Sequence, residues 1–348
     1  MTPRVRSHLH GGNTLCESRE APYLAEGMVP RVLVSQPVPE CALALFRREG
    51  IAYDLNAEDR VLSRNELASR LRGREGLLCL LTDRVDDDLL SRCPSLRGIA
   101  VIAVGYDNID VAAAARRGIP VSNTPGALTE TTADLAWALI LGVARRIAEA
   151  DRFTRDGRFT RWGIMLMLGG DVHGKTLGIV GAGRIGTAVA MRARGFGMRV
   201  LYCAPERNER IEQELGATRA ALETLLRESD FVSLHVPLIP ETRHLIGERE
   251  LGMMKPGAYL VNTSRGPVVD EEALVRALRE KGIAGAGLDV YEDEPRLAVG
   301  LAELENAILL PHIGSASVET RSRMAEMAAA NLAAMLRGER PPNCVNLT

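Results

Sequence analysis

The chain has 348 residues, enough for two domains with separate cores. A net charge of −2 leaves no basic footprint and argues against nucleic acid as the main partner, and no run of about 18 apolar residues suggests a membrane span. Cys16, Cys41, Cys79, Cys93, Cys203 and Cys344 are scattered without a C-x-x-C pair or zinc-like spacing. That pattern predicts no metal site, and reduced thiols in a cytoplasmic protein.

Residues 1–27 mix Arg, His, Gly, Ser, Pro and Glu without apolar periodicity or the hydrophobic core of a secretory signal, and the unstructured tail is expected to reach residue 29. They read as a disordered tail, or as mis-assigned translation ahead of a functional start at Met28. A buried strand is predicted at Val32–Val34, then a helix over Cys41–Glu49 with Gly50 as its C-cap. Leu77–Leu81 is a continuous apolar run, the pattern of a strand covered on both faces. A helix at Asp86–Arg92, a strand at Ile99–Val104, a helix at Val111–Arg117 and a strand at Val121–Asn123 complete a first parallel α/β series.

Thr129-Glu130-Thr131-Thr132 then opens a long apolar helix running to about Arg146, within which Trp137 reads as core. A polar, Arg-rich stretch from Asp151 to Trp162 follows. A second α/β series has strands at Thr176–Val180, Arg199–Cys203, Phe231–His235, Ala258–Asn262, Ala286–Asp289 and Ile308–Leu310. The last helix, Val318–Leu336, can return to the first domain and make it discontinuous. The expected fold is therefore α/β, with two doubly wound parallel-sheet domains.

Gly181-Ala182-Gly183-Arg184-Ile185-Gly186 joins the strand Leu177–Val180 to a helix. In that context the glycines serve a tight turn, close approach to a pyrophosphate and close helix–strand packing. The helix N-terminus presents free N–H groups and a positive dipole end to the phosphates. A glycine turn without a ligand is the alternative. After the second strand the chain reads Ala204-Pro205-Glu206-Arg207, with Ala204 where an NAD site carries an acid. Arg207, with Arg210 near it, is suited to a 2′-phosphate, whereas Glu206 argues the other way if it turns inward. The balance favours NADP(H) over NAD(H) by a small margin.

Arg265 follows the strand ending at Asn262, at the sheet end where open α/β folds bind ligands. A guanidinium there can grip a carboxylate through two parallel hydrogen bonds and polarise a neighbouring keto oxygen. A surface arginine on a turn is the alternative. His312 also ends a strand, and a lone histidine there is more often structural. Glu294 shifts the balance, because a carboxylate against an imidazole favours the protonated ring and readies it as an acid near neutral pH.

Together these residues resemble the D-isomer-specific 2-hydroxyacid dehydrogenases, from about residue 30 to the end. The likeness is carried by Val104-Gly105-Tyr106-Asp107-Asn108-Ile109-Asp110, Thr132-Ala133-Asp134-Leu135, the glycine turn, Asp289-Val290-Tyr291, Glu294 and Pro311-His312-Ile313-Gly314. The resemblance implies catalytic roles for Arg265, Glu294 and His312. It implies substrate-carboxylate binding by the backbone of Val104 and Gly105, cofactor contacts from Thr132 and Pro237, and a carboxamide contact from Asp289. For Thr132 the alternative is a simple N-cap, and for Asp289 a helix N-cap or turn acid.

It also implies a Rossmann NAD(P)-binding domain at 128–312 inserted into a flavodoxin-like substrate domain made of 30–127 and 313–348. That substrate domain would be hinged so as to close over the site. An arm at about 145–170 would build a homodimer, with Trp162 either anchoring that interface or narrowing the partner's site.

Within the family, Asp171–Val180 and Pro311–Ala316 look like the glyoxylate and hydroxypyruvate reductases. Glu294 argues against the formate dehydrogenase branch, which uses glutamine, and Thr82-Asp83-Arg84 offers poor support for a substrate phosphate. Reduction of glyoxylate or hydroxypyruvate, giving glycolate or D-glycerate, is the expected activity. The alternatives are another 2-keto acid such as pyruvate or a bulkier aliphatic acid, and a dinucleotide-sensing binding protein.

Overall fold

Short apolar runs become parallel strands buried on both faces. The computed structural model describes residues 31–347, so the expectation of a disordered tail at 1–29 falls outside the described residues. Strands β1 (Val32–Val34), β2 (Tyr53–Leu55), β3 (Gly76–Cys79), β4 (Gly98–Val101) and β5 (Val121–Ser122) form one parallel sheet in the order β2-β1-β3-β4-β5. Helices α1 (Glu40–Arg48), α2 (Arg64–Leu71), α3 (Asp87–Ser91) and α4 (Val111–Arg116) make the connections. This is the flavodoxin-like order. The short edge strand β2 and helix α2, which carries a capping box from Ser63 and Glu66, add to what periodicity alone predicts.

Helices α5 (Thr129–Ala144) and α6 (Ile147–Arg155) lead to the second sheet. The stretch read as polar and Arg-rich thus begins inside a helix, entered through Arg146 in the left-handed region at φ 54°. The second sheet contains β6 (Thr176–Val180), β7 (Arg199–Cys203), β8 (Thr218–Arg219), β9 (Phe231–Leu234), β10 (Tyr259–Asn262), β11 (Gly285–Leu288) and β12 (Ala307–Leu309). All pairings are parallel and the order is β12-β11-β10-β9-β6-β7-β8, so the chain reverses direction across the sheet between β6 and β9. Helices α7 (Arg184–Arg192), α8 (Glu209–Leu215), α9 (Leu222–Glu228), α10 (Glu248–Leu251) and α11 (Glu271–Arg279) connect them, and α12 (Val318–Leu336) closes the chain.

Among the described residues, 31–102, Asn108–Ser122 and 328–347 form one compact unit, and Ala103–Asp107 with Asn123–Met327 form the other. The first is discontinuous around the second. The sequence reading puts the crossings at 127/128 and 312/313 instead. Two bonds explain the wider second unit: Thr124 N–H donates to Ala103 O, and the Thr320 hydroxyl of α12 lies 2.6 Å from that of Thr131 on α5.

Helix α5 is apolar nearly all round because its neighbours bury it. Trp137 is core, its Nε1 donating to Val189 O at 2.9 Å and its ring stacked on Phe196. Among the described residues no helix is long and apolar enough to cross a membrane.

Candidate active site

The glycine turn sits at the reversal between β6 and β9, where open α/β sheets take ligands. Gly181 has φ 95°, and a Cβ there would meet the Val236 nitrogen and the His235 carbonyl group within 2.8 Å. At Gly186 a Cβ would strike the Gly181 oxygen, whereas nothing lies within 4 Å of one at Gly183. The first and third glycines therefore close the turn, and the second leaves open space beside the helix start. Helix α7 begins at Arg184 with no side chain capping its free N–H groups, and Arg184 is exposed and Ile185 half-buried. An unobstructed cradle of amides fits a pyrophosphate.

Beyond β7 the loop is exposed. Arg207, with 71% of its side chain in solvent, pairs with Glu212 at 2.5 Å, and Glu212 also accepts from the Tyr202 hydroxyl. Two residues not singled out from sequence shape this end. Arg219 donates to Ala204 O at 3.2 Å and Pro205 O at 2.6 Å. Asn208 caps α8 and donates to Ala182 O and to the Thr187 hydroxyl, tying the loop to the glycine turn. Asn208 was legible as a cap before a helical run, but Arg219 carried no signal.

Three neighbouring strands, β10, β11 and β12, lead to Arg265, Glu294 and His312 beyond their C-terminal ends, with Asp289 directly after β11. Arg265 follows β10. Its Nε donates to Asp107 at 3.0 Å and its Nη1 to Ser264 O at 2.9 Å, and its Nη2 lies over Gly105, where a Cβ would collide with it. The Gly105 position is thus reserved for the guanidinium. Val104 O beside it accepts from the Asn123 side chain at 2.7 Å.

Glu294 follows β11 and His312 follows β12. Glu294 Oε2 meets His312 Nδ1 at 2.9 Å, and Oε1 accepts from Tyr291 N–H at 3.0 Å. Burial pushes the Glu294 carboxyl up. The His312 hydrogen bond and charge, the Tyr291 N–H and the Arg265 charge outweigh this and hold it below the ordinary carboxylate range. His312 itself adopts φ 54°, a conformation a β-strand residue rarely takes.

Asp289, almost wholly buried, holds that turn. Its two oxygens accept from Ile313 N–H and Gly314 N–H, each at 2.7 Å, and burial raises its carboxyl above the ordinary value. Thr132 donates to Gly314 O at 3.1 Å from the other side. In this geometry both residues brace the His312 turn. Pro237, in the exposed loop after β9, has its carbonyl bonded to the Thr242 hydroxyl.

Tyr291 is a third residue that sequence reasoning did not weigh. Its hydroxyl donates to Leu310 O at 2.8 Å, and its carbonyl group packs against Gly266 so closely that a Cβ there would collide with it. One residue thus locks the segments bearing Arg265, Glu294 and His312 together. Trp162 stands far out in solvent, 73% exposed, among Phe159, Ile164 and Met165, which are exposed too.

A family model described as D-isomer specific 2-hydroxyacid dehydrogenase, NAD binding domain, matches residues 137–314. The chain is similar to the glyoxylate reductase of Korarchaeum cryptofilum, 56% identical over 321 residues that cover 92% of this chain and 96% of the relative. Of the solved structures, the TT0316 protein of Thermus thermophilus superposes with a TM-score of 0.84 at 48% identity, covering 90% of this chain and 99% of that one. The NADPH-dependent glyoxylate/hydroxypyruvate reductase of Sinorhizobium meliloti, in complex with NADP and malonate, superposes with a TM-score of 0.79 at 34% identity, covering 91% and 96%.

Proposed function

The chain belongs to the D-isomer specific 2-hydroxyacid dehydrogenase family, and from that premise we propose that it reduces glyoxylate, and hydroxypyruvate beside it, to the corresponding 2-hydroxy acid. The observation that carries the reading is the grouping of Arg265, Glu294 and His312 at three adjacent strand ends, with Glu294 and His312 in contact at 2.9 Å. When bound, the reduced nicotinamide supplies a hydride to the keto carbon.

The remaining work falls to the protein. Arg265 binds the substrate carboxylate and polarises the keto oxygen, helped by the backbone N–H groups of Val104 and Gly105. His312, engaged to Glu294 through Nδ1, gives the proton on Nε2 to the oxygen that becomes the hydroxyl, and solvent restores that proton. Glu294 stabilises the charged ring and fixes its orientation. Asp289 and Thr132 hold the turn that aims it, and Pro237 would line the cofactor cleft.

NADP(H) is the favoured cofactor over NAD(H). Ala204 offers no acid to repel a 2′-phosphate, Arg207 and Arg219 stand at the loop, and the Sinorhizobium relative carries NADP. The exposed apolar arm supports a homodimer, because a solvated patch of Phe159, Trp162, Ile164 and Met165 is the mark of an interface. In that dimer Trp162 would reach the partner subunit's substrate. Free cysteines fit a cytoplasmic setting.

The test is loss of 340 nm absorbance with glyoxylate, hydroxypyruvate, pyruvate and phosphohydroxypyruvate, each with NADH and with NADPH. Fastest turnover of the first two, with NADPH, is expected. Faster turnover of pyruvate keeps the mechanism and overturns the substrate. Nucleotide binding without any turnover points to a sensing protein.

A further inference from the structure

The loop that carries Glu294 has no regular structure, yet its carboxylate must stay within hydrogen-bond reach of His312. It runs from the end of β11 to residue 300, and its tip is exposed. What holds it is a carboxylate from a different element. Glu271, the first residue of α11, is 4% exposed, and its side chain reaches into the loop. One oxygen accepts from Glu292 N–H and the other from Ala298 N–H at 3.3 Å, two amides that flank Glu294 on either side. Burying an ionisable acid is costly without such partners, and here the partners are the loop itself. The outer face of the loop is pinned through Glu292, which meets His244 at 2.6 Å and Arg243 at 3.2 Å.

We propose that Glu271 is a positioning residue for the acid–base pair: its buried carboxylate clamps the loop on both sides of Glu294 and so sets the Glu294–His312 contact. The inference rests on the reading of His312 as proton donor. Glu294 and Asp289 at the end of β11 are the charged groups that act on His312; Arg265, paired with Asp107, acts on Glu294, and Glu271, which bonds the Glu292 N–H, feels the charges of Glu292 and Glu294. A merely structural acid at this place would lower stability and leave the protonation of His312 alone. A clamp would not: releasing the loop loosens Glu294, and the protonated ring loses support.

The experiment uses the full chain with Glu271→Gln, which keeps the shape but turns an amide toward two N–H donors. Expected are a fall in kcat on the order of 10- to 100-fold, the scale of a small misplacement of a reacting group, and an alkaline limb of the kcat profile displaced to lower pH. The NADPH dissociation constant, read by nucleotide fluorescence, stays within about twofold. The His312 ring titration, followed by NMR, moves the same way and needs no turnover, so it separates failure of this proposal from failure of the assigned activity. If Glu271→Gln does not fold, Glu271→Asp, which keeps the charge but withdraws it by one methylene, is read by the same two curves. An unmoved pH limb together with an unmoved His312 titration, in whichever variant folds, overturns the proposal.

Discussion

At the strand ends that bear Arg265, Glu294 and His312 each charged side chain is braced, and the braces are braced in turn; beside the glycine turn the charges stand in solvent. His312 is held by Glu294, its turn by Asp289 and Thr132, and the segments of all three strand ends by Tyr291. Arg265 has 21% of its side chain exposed and is fixed by Asp107 and Ser264. Arg207, by contrast, reaches Glu212 from a loop that water surrounds. The difference fits the roles proposed for the two ends. Proton and hydride transfer demand geometry within fractions of an ångström, so the fold over-determines it. Discrimination between two dinucleotides needs only a sign of charge near one phosphate, which a screened surface arginine can supply.

The most severe way to break the comparison is to remove the proton donor. His312→Ala should lower kcat by about 10²- to 10⁴-fold, the usual share of a positioned acid or base. NADPH affinity should survive, because the glycine turn lies on other strand ends. Equal turnover of variant and parent would mean that the braced end is architecture and not chemistry.

A milder perturbation at the other end sharpens it. Arg207→Ser should raise the NADPH dissociation constant about tenfold, as expected for one exposed charge-assisted contact, and the effect should shrink with added salt. NADH binding should hardly change. Equal losses for both dinucleotides would show that Arg207 supports the loop and has no part in reading the 2′ position.

The sequence exposes these two ends unequally. Apolar runs with abrupt polar ends made β6 and β7 legible to the residue, and strand-end charges pointed to Arg265, Glu294 and His312. Edge strands β2 and β8 are too short to show a period, and β8 is exposed along its length. Helix α6 was hidden because its entry depends on Arg146 taking a left-handed conformation, which no residue type announces. The braces were illegible for another reason. Glu271 lies 27 residues from Ala298, and Tyr291 lies 19 from Leu310, so only the folded chain puts them in contact.

His235 tests whether burial or location is what separates the two ends. It follows β9 beneath the glycine turn, at the nucleotide side, yet its Nδ1 is sealed from solvent without a hydrogen-bond partner and its Nε2 lies 2.9 Å from the Ser233 hydroxyl. Burial pushes this ring down to about 3, well below the ordinary histidine value. The unfolded chain therefore takes up a proton near pH 6.5 that the folded chain refuses until far lower pH. The stability that His235 contributes is complete above that pH and declines as acid is added, through the window from about 6.5 toward 3. His235→Asn should flatten this limb of a plot of Tm against pH, while Glu294 and the other carboxylates act alike in both proteins. The change is the smallest of the three and leaves kcat untouched at neutral pH. Parallel acid limbs would mean that the ring is wetted and protonates as it would in water, and that the nucleotide end is open to its floor.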